Sequence, residues 1–395
     1  MSRAFLVVMD SVGIGGAPDA ARFFNGAVPD TGANTLAHIA QARSGGLRLP
    51  NLDRLGLGAA VALASGEAVP GLGAEPEGLW GAAQEMSAGK DTPTGHWELA
   101  GVPVASAWHV FPKTVPAFPA ELTDAVRQAA GVDGVLGNCH ASGTDILTEL
   151  GEAHMRTGWP ICYTSTDSVF QIAAHEERFG LGRLLELCRM LAPQLHAMGV
   201  GRVIARPFTG SAAAGFQRTT NRRDFAMAPP GPTLCDWAQA AGRRVHAIGK
   251  IGDIFSMQGI DDVVTGSDAD LMVRLKDAVA RAEEGSLTFA NFVEFDSKYG
   301  HRRDAEGYAR ALERFDAGLG RCLAGLRPGD LMLVTADHGN DPTWPGTDHT
   351  RERVPVLGAG IGAHAAGIVG FVDVAASVAA HLNLPEQGPG RSFLP

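Results

Sequence analysis

Short apolar runs recur along this chain, and several of them stop on an acid or a histidine. "AFLVVMD" (4–10), "TFANFVEFD" (288–296) and "DLMLVTADHG" (330–339) read as buried strands, as do "RVHAIGKI" (244–251) and "VPVLGAG" (354–360). Helix-like segments lie between and after them at 233–241, 268–284, 304–326 and 372–382. Alternation of this kind predicts an α/β fold, a mostly parallel sheet with helices on both faces. The middle of the chain is less regular. Helices are expected at 119–130 and 181–198, with strands in "PICYTS" and "RVIARPF", and Pro/Gly-containing stretches bracket the region. We read residues 105–224 as an inserted α+β cap, with 1–104 and 225–395 forming one core.

The bulk properties exclude several classes. A chain of 395 residues with 45% hydrophobic and 19% charged residues is long enough for two globular domains. The net charge of −10 argues against nucleic acid as a partner. No apolar window has the length of a membrane span, and the run Phe5 to Met9 is too short for a signal peptide. Cys139, Cys162, Cys188, Cys235 and Cys322 are widely spaced and odd in number. That pattern fits a reducing cytoplasm better than a disulfide framework or a thiolate zinc site. No heptad pattern stands out, so a monomer is expected.

In an open parallel sheet, ligands bind beyond the carboxyl ends of the strands. Three of the apolar runs end on Asp10, Asp296 and the pair Asp337–His338. His301 follows Asp296 by five residues, and His349 follows His338 by eleven in a Gly/Pro-rich loop. One Asp at a strand end is commonly a turn or cap residue. Three such ends aimed at one crevice make a different case. Three carboxylates with three imidazoles suit a pair of divalent ions, Mn²⁺ or Zn²⁺ rather than Mg²⁺ alone. A two-metal site next to a hydroxyl nucleophile is suited to phosphoryl transfer. The candidate hydroxyl lies in "GKDTPTGHWE" (89–98). There Thr92 reads as a helix N-cap with Pro93 in the first helical position. The cap and nucleophile readings are compatible, because a helix N-terminus also stabilises a phosphate.

Taken together, these segments resemble the alkaline phosphatase superfamily of metalloenzymes, and within it the phosphopentomutase family. The resemblance extends over nearly the whole chain in one order. It runs through "VVMDSVGIGGAPDA", "DTGANTLAHIA", "GKDTPTGHWE", "TSTDSVFQIAAHEE", "RVIARPFTG", "RTTNRRDFAMAPP", "GKIGDIFSMQGI", "NFVEFDSKYGHRRD" and "VTADHGNDPTWPGTDHTRERVPVL". "KDTPTGHWE" separates this branch from the related phosphoglycerate mutases, which carry a serine there.

The resemblance implies an alkaline phosphatase-like core with an inserted cap. It implies one Mn²⁺ on Asp10, Asp337 and His338, a second on Asp296, His301 and His349, and Thr92 as nucleophile. Thr94 matches no catalytic position, and His96, Trp97 and Glu98 are divided between packing and function. In the cap, Ser165 and Asp167 are implied as contacts to sugar hydroxyls, and Arg206 and Arg218 as contacts to the distal phosphate. Lys250, after a core strand, is a further candidate. The implied reaction interconverts ribose 1-phosphate, or its 2-deoxy analogue, with the 5-phosphate through phospho-Thr92 and a bisphosphate intermediate. A sugar bisphosphate would serve as the activator that first phosphorylates Thr92. The competing readings are a phosphoglycerate mutase-like enzyme or metal-dependent phosphatase of the same superfamily, and a silent metal- or sugar-phosphate-binding protein.

Overall fold

The computed structural model describes residues 2–165, 168–385 and 387–395. The chain divides into two compact units, Met1–Ala105 with Ala228–Pro395, and Ser106–Met227. The junctions expected at 105 and 224 thus fall at 106 and 227.

The larger unit is built on an eight-stranded sheet. Its strands are β1 (Ala4–Met9), β2 (Leu79–Gln84), β3 (Val245–Ile248), β4 (Asp262–Val264), β5 (Leu287–Phe292), β6 (Leu331–Thr335), β7 (Val354–Ala359) and β8 (His364–Gly370). Their order across the sheet is β4-β3-β5-β1-β6-β7-β2-β8. The pairings from β4 to β6 are parallel, as is that of β8 with β2, while β7 is antiparallel to both of its neighbours. Only β7 therefore runs against the rest. Every residue of β1, β5 and β6 is buried, so the middle of the sheet is covered on both faces.

This topology positions the site. β1, β2, β3, β5 and β6 all end at one edge of the sheet, and β7, being reversed, begins there. Asp10 follows β1, the segment holding Asp296 and His301 follows β5, and Asp337–His338 follow β6. The loop bearing His349 leads into β7, and the segment leading to Thr92 leaves β2. The opposite edge is pinned by a buried ion pair. Just before β1, Arg3 donates from Nε to Asp330 Oδ1 at 2.9 Å, and from Nη1 to the carbonyls of Val279 at 2.8 Å and Ala282 at 3.2 Å.

The smaller unit is an α+β domain with a six-stranded sheet. Its main path runs Arg223–Ala226, Arg202–Ser211, Val169–His175, Ile161–Thr164, Leu136–His140, and Gly215–Arg218 pairs with Arg202–Ser211. Helices Ala120–Ala130 and Leu181–Ala197 close one core around Phe118, Phe170 and Leu187, and helix Asp145–Thr157 closes a second around Tyr163 and Phe208. No helix among the described residues is long and apolar enough to cross a membrane.

Replacing Asp330 by Ala strands the Arg3 guanidinium, whose residue is 1% exposed. The expected cost is about 3–5 kcal/mol, read as a lower urea midpoint for the core, with metal binding at the far edge unchanged. An unchanged midpoint would show that the pair does not hold this edge.

Candidate active site

Asp10 is fully buried where β1 ends, and the chain turns sharply after it. Ser11 adopts φ +68, a left-handed conformation that costs a non-glycine residue energy. That turn aims the Ser11 amide at Asp337 Oδ1, 3.0 Å away, while Ser11 Oγ lies 2.9 Å from the Tyr308 hydroxyl. The strained residue thus clips one buried carboxylate to the loop that follows the other. On the other side of Asp10, Asn291 of β5 donates from Nδ2 to Asp10 Oδ2 at 2.7 Å.

The remaining donors converge on the same place. His338 Nε2 lies 3.2 Å from Asp337 Oδ2 and 3.5 Å from Asp10 Oδ1. His349 Nε2 lies 3.3 Å from Asp296 Oδ1, and His301 Nε2 lies 3.1 Å from Asp296 Oδ2. Donor atoms of Asp10, Asp337 and His338 form one group within 4.8 Å of one another, and those of Asp296, His338 and His349 form another. His338 belongs to both, and His301 approaches through Asp296. Asp296 was expected at a strand end, but β5 stops at Phe292, and Asp296 sits in a helical turn, Phe295–Gly300. The apolar run continues past the strand because Phe295 is buried in that turn against Tyr308 and Phe315.

Thr92 sits at the same edge. Its Oγ1 is 3.1 Å from His338 Nε2. It is the first residue of helix Thr92–Leu99, and the cap is Asp91, whose side chain accepts from the Thr94 amide at 3.2 Å. The N-cap expectation for Thr92 is therefore corrected by one position. With Asp91 capping, the Thr92 hydroxyl is released from the helix and points at His338. Thr94 turns its own hydroxyl back to the Asp91 carbonyl at 3.1 Å. Gly95 is required by contact, since a Cβ there would lie 2.2 Å from the Asp337 carbonyl oxygen.

The rest of the segment holds Thr92 in place. His96 Nε2 accepts from Asn291 Nδ2 at 3.1 Å, which leaves its proton on Nδ1. Nδ1 faces the Thr92 carbonyl at 2.9 Å and Asp337 Oδ2 at 3.0 Å. Trp97 donates from Nε1 to the Ile254 carbonyl at 2.9 Å. Buried Glu98 gathers the approach from β2, accepting from the amides of Met86 at 2.8 Å and Ser87 at 2.6 Å. Arg351, two residues after His349, donates to the Gly89 carbonyl at 2.6 Å, to the Glu85 carbonyl at 2.8 Å and to Asp19 through Nε at 3.1 Å. Sequence reasoning missed Asn291, Ser11, Tyr308 and Arg351. Only Asn291 left a local signal, as a polar residue inside an otherwise apolar strand.

The electrostatics follow from the crowding. Burial pushes the Asp10 carboxyl well above the usual carboxylate range, and the charges of Asp337 and Asp296 add to it. Burial acts on Asp337 in the same sense, but the His338 and His96 imidazoles outweigh it and hold that carboxyl below the range. Burial opposes charge on His338, yet Asp337, Asp10 and Asp296 raise its imidazole well above its ordinary value. Asp10 Oδ1, Asp337 Oδ2 and His349 Nε2 are buried with ion-pair approaches of 3.0–3.5 Å to neighbouring side chains but no well-directed hydrogen bond among the described residues. Buried carboxylate oxygens and imidazole nitrogens so gathered, and incompletely satisfied by one another, fit divalent transition-metal ions.

The sequence-derived substrate contacts are more dispersed. Lys250 is exposed and follows β3 at the edge of the sheet that bears the ligands. Within the smaller unit, half-buried Arg206 donates from Nε to Gln171 Oε1 at 3.1 Å. Arg218 ends the strand Gly215–Arg218 and packs against Gly143 beside the Tyr163 hydroxyl. Burial raises the Tyr163 phenol, while Arg206, Arg218 and Arg222 work against that shift. Arg222 is taken up by Asp224 through two bonds of 2.6 Å each. Ser165 is half-buried in the loop after Ile161–Thr164, and Asp167 lies outside the described residues.

Known proteins share this chain's pattern. A profile described as the Metalloenzyme superfamily matches residues 2–386. Proteins named phosphopentomutase from Methylorubrum extorquens and from Chelativorans sp. are each 55% identical to it, covering all of this chain and 100% and 98% of their own. One from Rhizobium etli is 53% identical with full coverage of both.

The surroundings of Asp10 and His338 favour the protonated form of each, so a cation bound there would compete with protons. Metal uptake should therefore release protons, and affinity should weaken as pH falls, because both raised groups then compete for the site. Calorimetric Mn²⁺ titrations in buffers of different ionisation enthalpy measure this; uptake without proton release, indifferent to pH, would contradict it.

Proposed function

The chain belongs to the metalloenzyme superfamily and, within it, to the phosphopentomutase family, and on that premise we propose that Thr92 carries the phosphoryl group between the 1- and 5-oxygens of ribose and 2-deoxyribose. The observation that supports this most strongly is Thr92 Oγ1 at 3.1 Å from His338, the residue shared by both groups of metal-ligating side chains.

Asp10, Asp337 and His338 would hold one Mn²⁺, and Asp296, His301 and His349 the other. Bound there, such ions lower the pKa of a hydroxyl and offset charge on the transferring group. The protein's own contributions are separate from this. A sugar bisphosphate first phosphorylates Thr92. The N-terminus of helix Thr92–Leu99 favours the negative charge so acquired. In turnover, the Thr92 Oγ–P bond breaks as a bond forms from phosphorus to the free hydroxyl oxygen of the pentose monophosphate. The proton lost by that hydroxyl is balanced by the one Thr92 Oγ regains. The resulting bisphosphate reorients and returns its other phosphoryl group to Thr92.

The smaller unit is proposed as the substrate cap, with Ser165 and Asp167 on sugar hydroxyls and Arg206 and Arg218 on the distal phosphate; Lys250 of the core is proposed separately as a further substrate contact. The grouping of Arg206 and Arg218 around Tyr163 supports an anion site, since guanidinium suits phosphate. Shielding phospho-Thr92 from water keeps the reaction a transfer rather than a hydrolysis. The protein is proposed to act as a cytoplasmic monomer, a setting in keeping with its free cysteines.

Thr92→Ala should abolish conversion of ribose 1-phosphate to ribose 5-phosphate while metal content stays near that of the parent protein. Thr94→Ala should keep measurable turnover, because its hydroxyl only returns to the Asp91 carbonyl. The opposite pattern would remove Thr92 as nucleophile. Turnover of phosphoglycerate in place of ribose 1-phosphate would favour the mutase relative, and activity with neither would favour a silent binding protein.

A further inference from the structure

Beyond the ligands themselves, we infer that Arg303 is the positioning residue of the Asp296/His301/His349 metal site, a claim that rests on the two-metal reading above. Arg303 follows His301 by two residues and has φ +56, a left-handed conformation in a residue that rarely adopts it. From there its guanidinium crosses to the loop that carries Asn340 and His349. It donates from Nε to the Gly346 carbonyl at 2.7 Å, from Nη2 to the Asp348 carbonyl at 3.1 Å and from Nη1 to the Asp341 carbonyl at 2.9 Å. Nη1 also reaches the carbonyl of Gly300 at 3.1 Å and the side-chain oxygen of Asn340 at 2.6 Å. One planar fork thus joins the turn bearing Asp296 and His301 to the loop bearing His349.

The contact with Asn340 determines the geometry of the ligand. A guanidinium has only donors, so the Asn340 amide must present its oxygen to Arg303. Its Nδ2 is thereby turned toward Asp296 Oδ1, to which it donates at 2.7 Å. Without Arg303 the Asn340 oxygen loses its donor and only Asp296 is left to orient the amide. The same clamp orients the two imidazoles. Asp348, held through its carbonyl, immediately precedes His349. The neighbouring Thr347 carbonyl accepts from His301 Nδ1 at 2.6 Å, which leaves His301 Nε2 facing Asp296. None of these contacts is made to Asp10 or Asp337, so Arg303 acts first on the Asp296 site.

The test is Mn²⁺ binding to metal-free protein, followed through the electron paramagnetic resonance of free Mn²⁺. The parent protein should take up two ions. In Arg303→Met, affinity at the Asp296 site should fall by about 10- to 100-fold, with the Asp10 site unchanged. Arg303→Lys, which keeps the charge but not the fork, should show the same asymmetry in smaller measure. Excess Mn²⁺ should restore kcat to Arg303→Met without moving KM for the sugar phosphate. Equal weakening at both sites in the two variants, as general destabilisation would cause, would overturn the inference, and so would unchanged binding. A parent protein that binds no second ion would instead overturn the two-metal reading beneath it.

Discussion

Three carboxylates, Asp10, Asp296 and Asp337, are buried close enough together that the charges of the other two bear on Asp10. No fold tolerates that arrangement without compensation. The protein offsets part of it with His338, His349, His301 and His96, and another part with the side-chain amides of Asn291 and Asn340. What is left uncompensated, on Asp10 above all, is the electrostatic demand that a divalent cation meets. The hydrogen bonds around the site serve chiefly to keep these like charges together.

The sheet makes the crowding geometrically possible. Parallel strands deliver their carboxyl ends to one edge, and the single reversal at β7 brings the His349 loop back to that edge instead of away from it. Through β2 the same edge receives the segment that ends in Thr92. Because β7 lies between β6 and β2, the loop entering it can touch both the loop that follows β6 and the approach to Thr92. Arg351 uses that position, tying Gly89 and Glu85 to the chain just after His349. Thr92 and the converging carboxylates and imidazoles are thus held in one hydrogen-bonded unit.

How far this was legible in the sequence differs from one element to the next. Asp10 and the Asp337–His338 pair were plain, since continuous apolar runs broke off on polar residues. Asp296 was found for an inexact reason: the run ended there, but its last aromatic belongs to a packed turn and not to the strand. β2 was invisible. "LWGAAQ" contains no β-branched residue, so the strand that leads to Thr92 left no pattern, and the order of the sheet went with it. In the smaller unit, the short strands Gly215–Arg218 and Arg223–Ala226, which both pair with Arg202–Ser211, are largely exposed and polar, and so lack the apolar signature of a strand. The partners of the ligands were hidden for another reason. Asn340, Arg303 and Arg351 act across loops, where spacing along the chain carries no information about contact.

The hydroxyl placed against His338 is the one proposed to carry the phosphoryl group. Incubating the Mn²⁺-loaded protein with ribose 1,5-bisphosphate and sequencing its peptides by tandem mass spectrometry tests this directly. A single added phosphoryl group on Thr92 is expected. A phosphoryl group on Thr94, or a protein that stays unmodified while interconverting pentose phosphates, would contradict it.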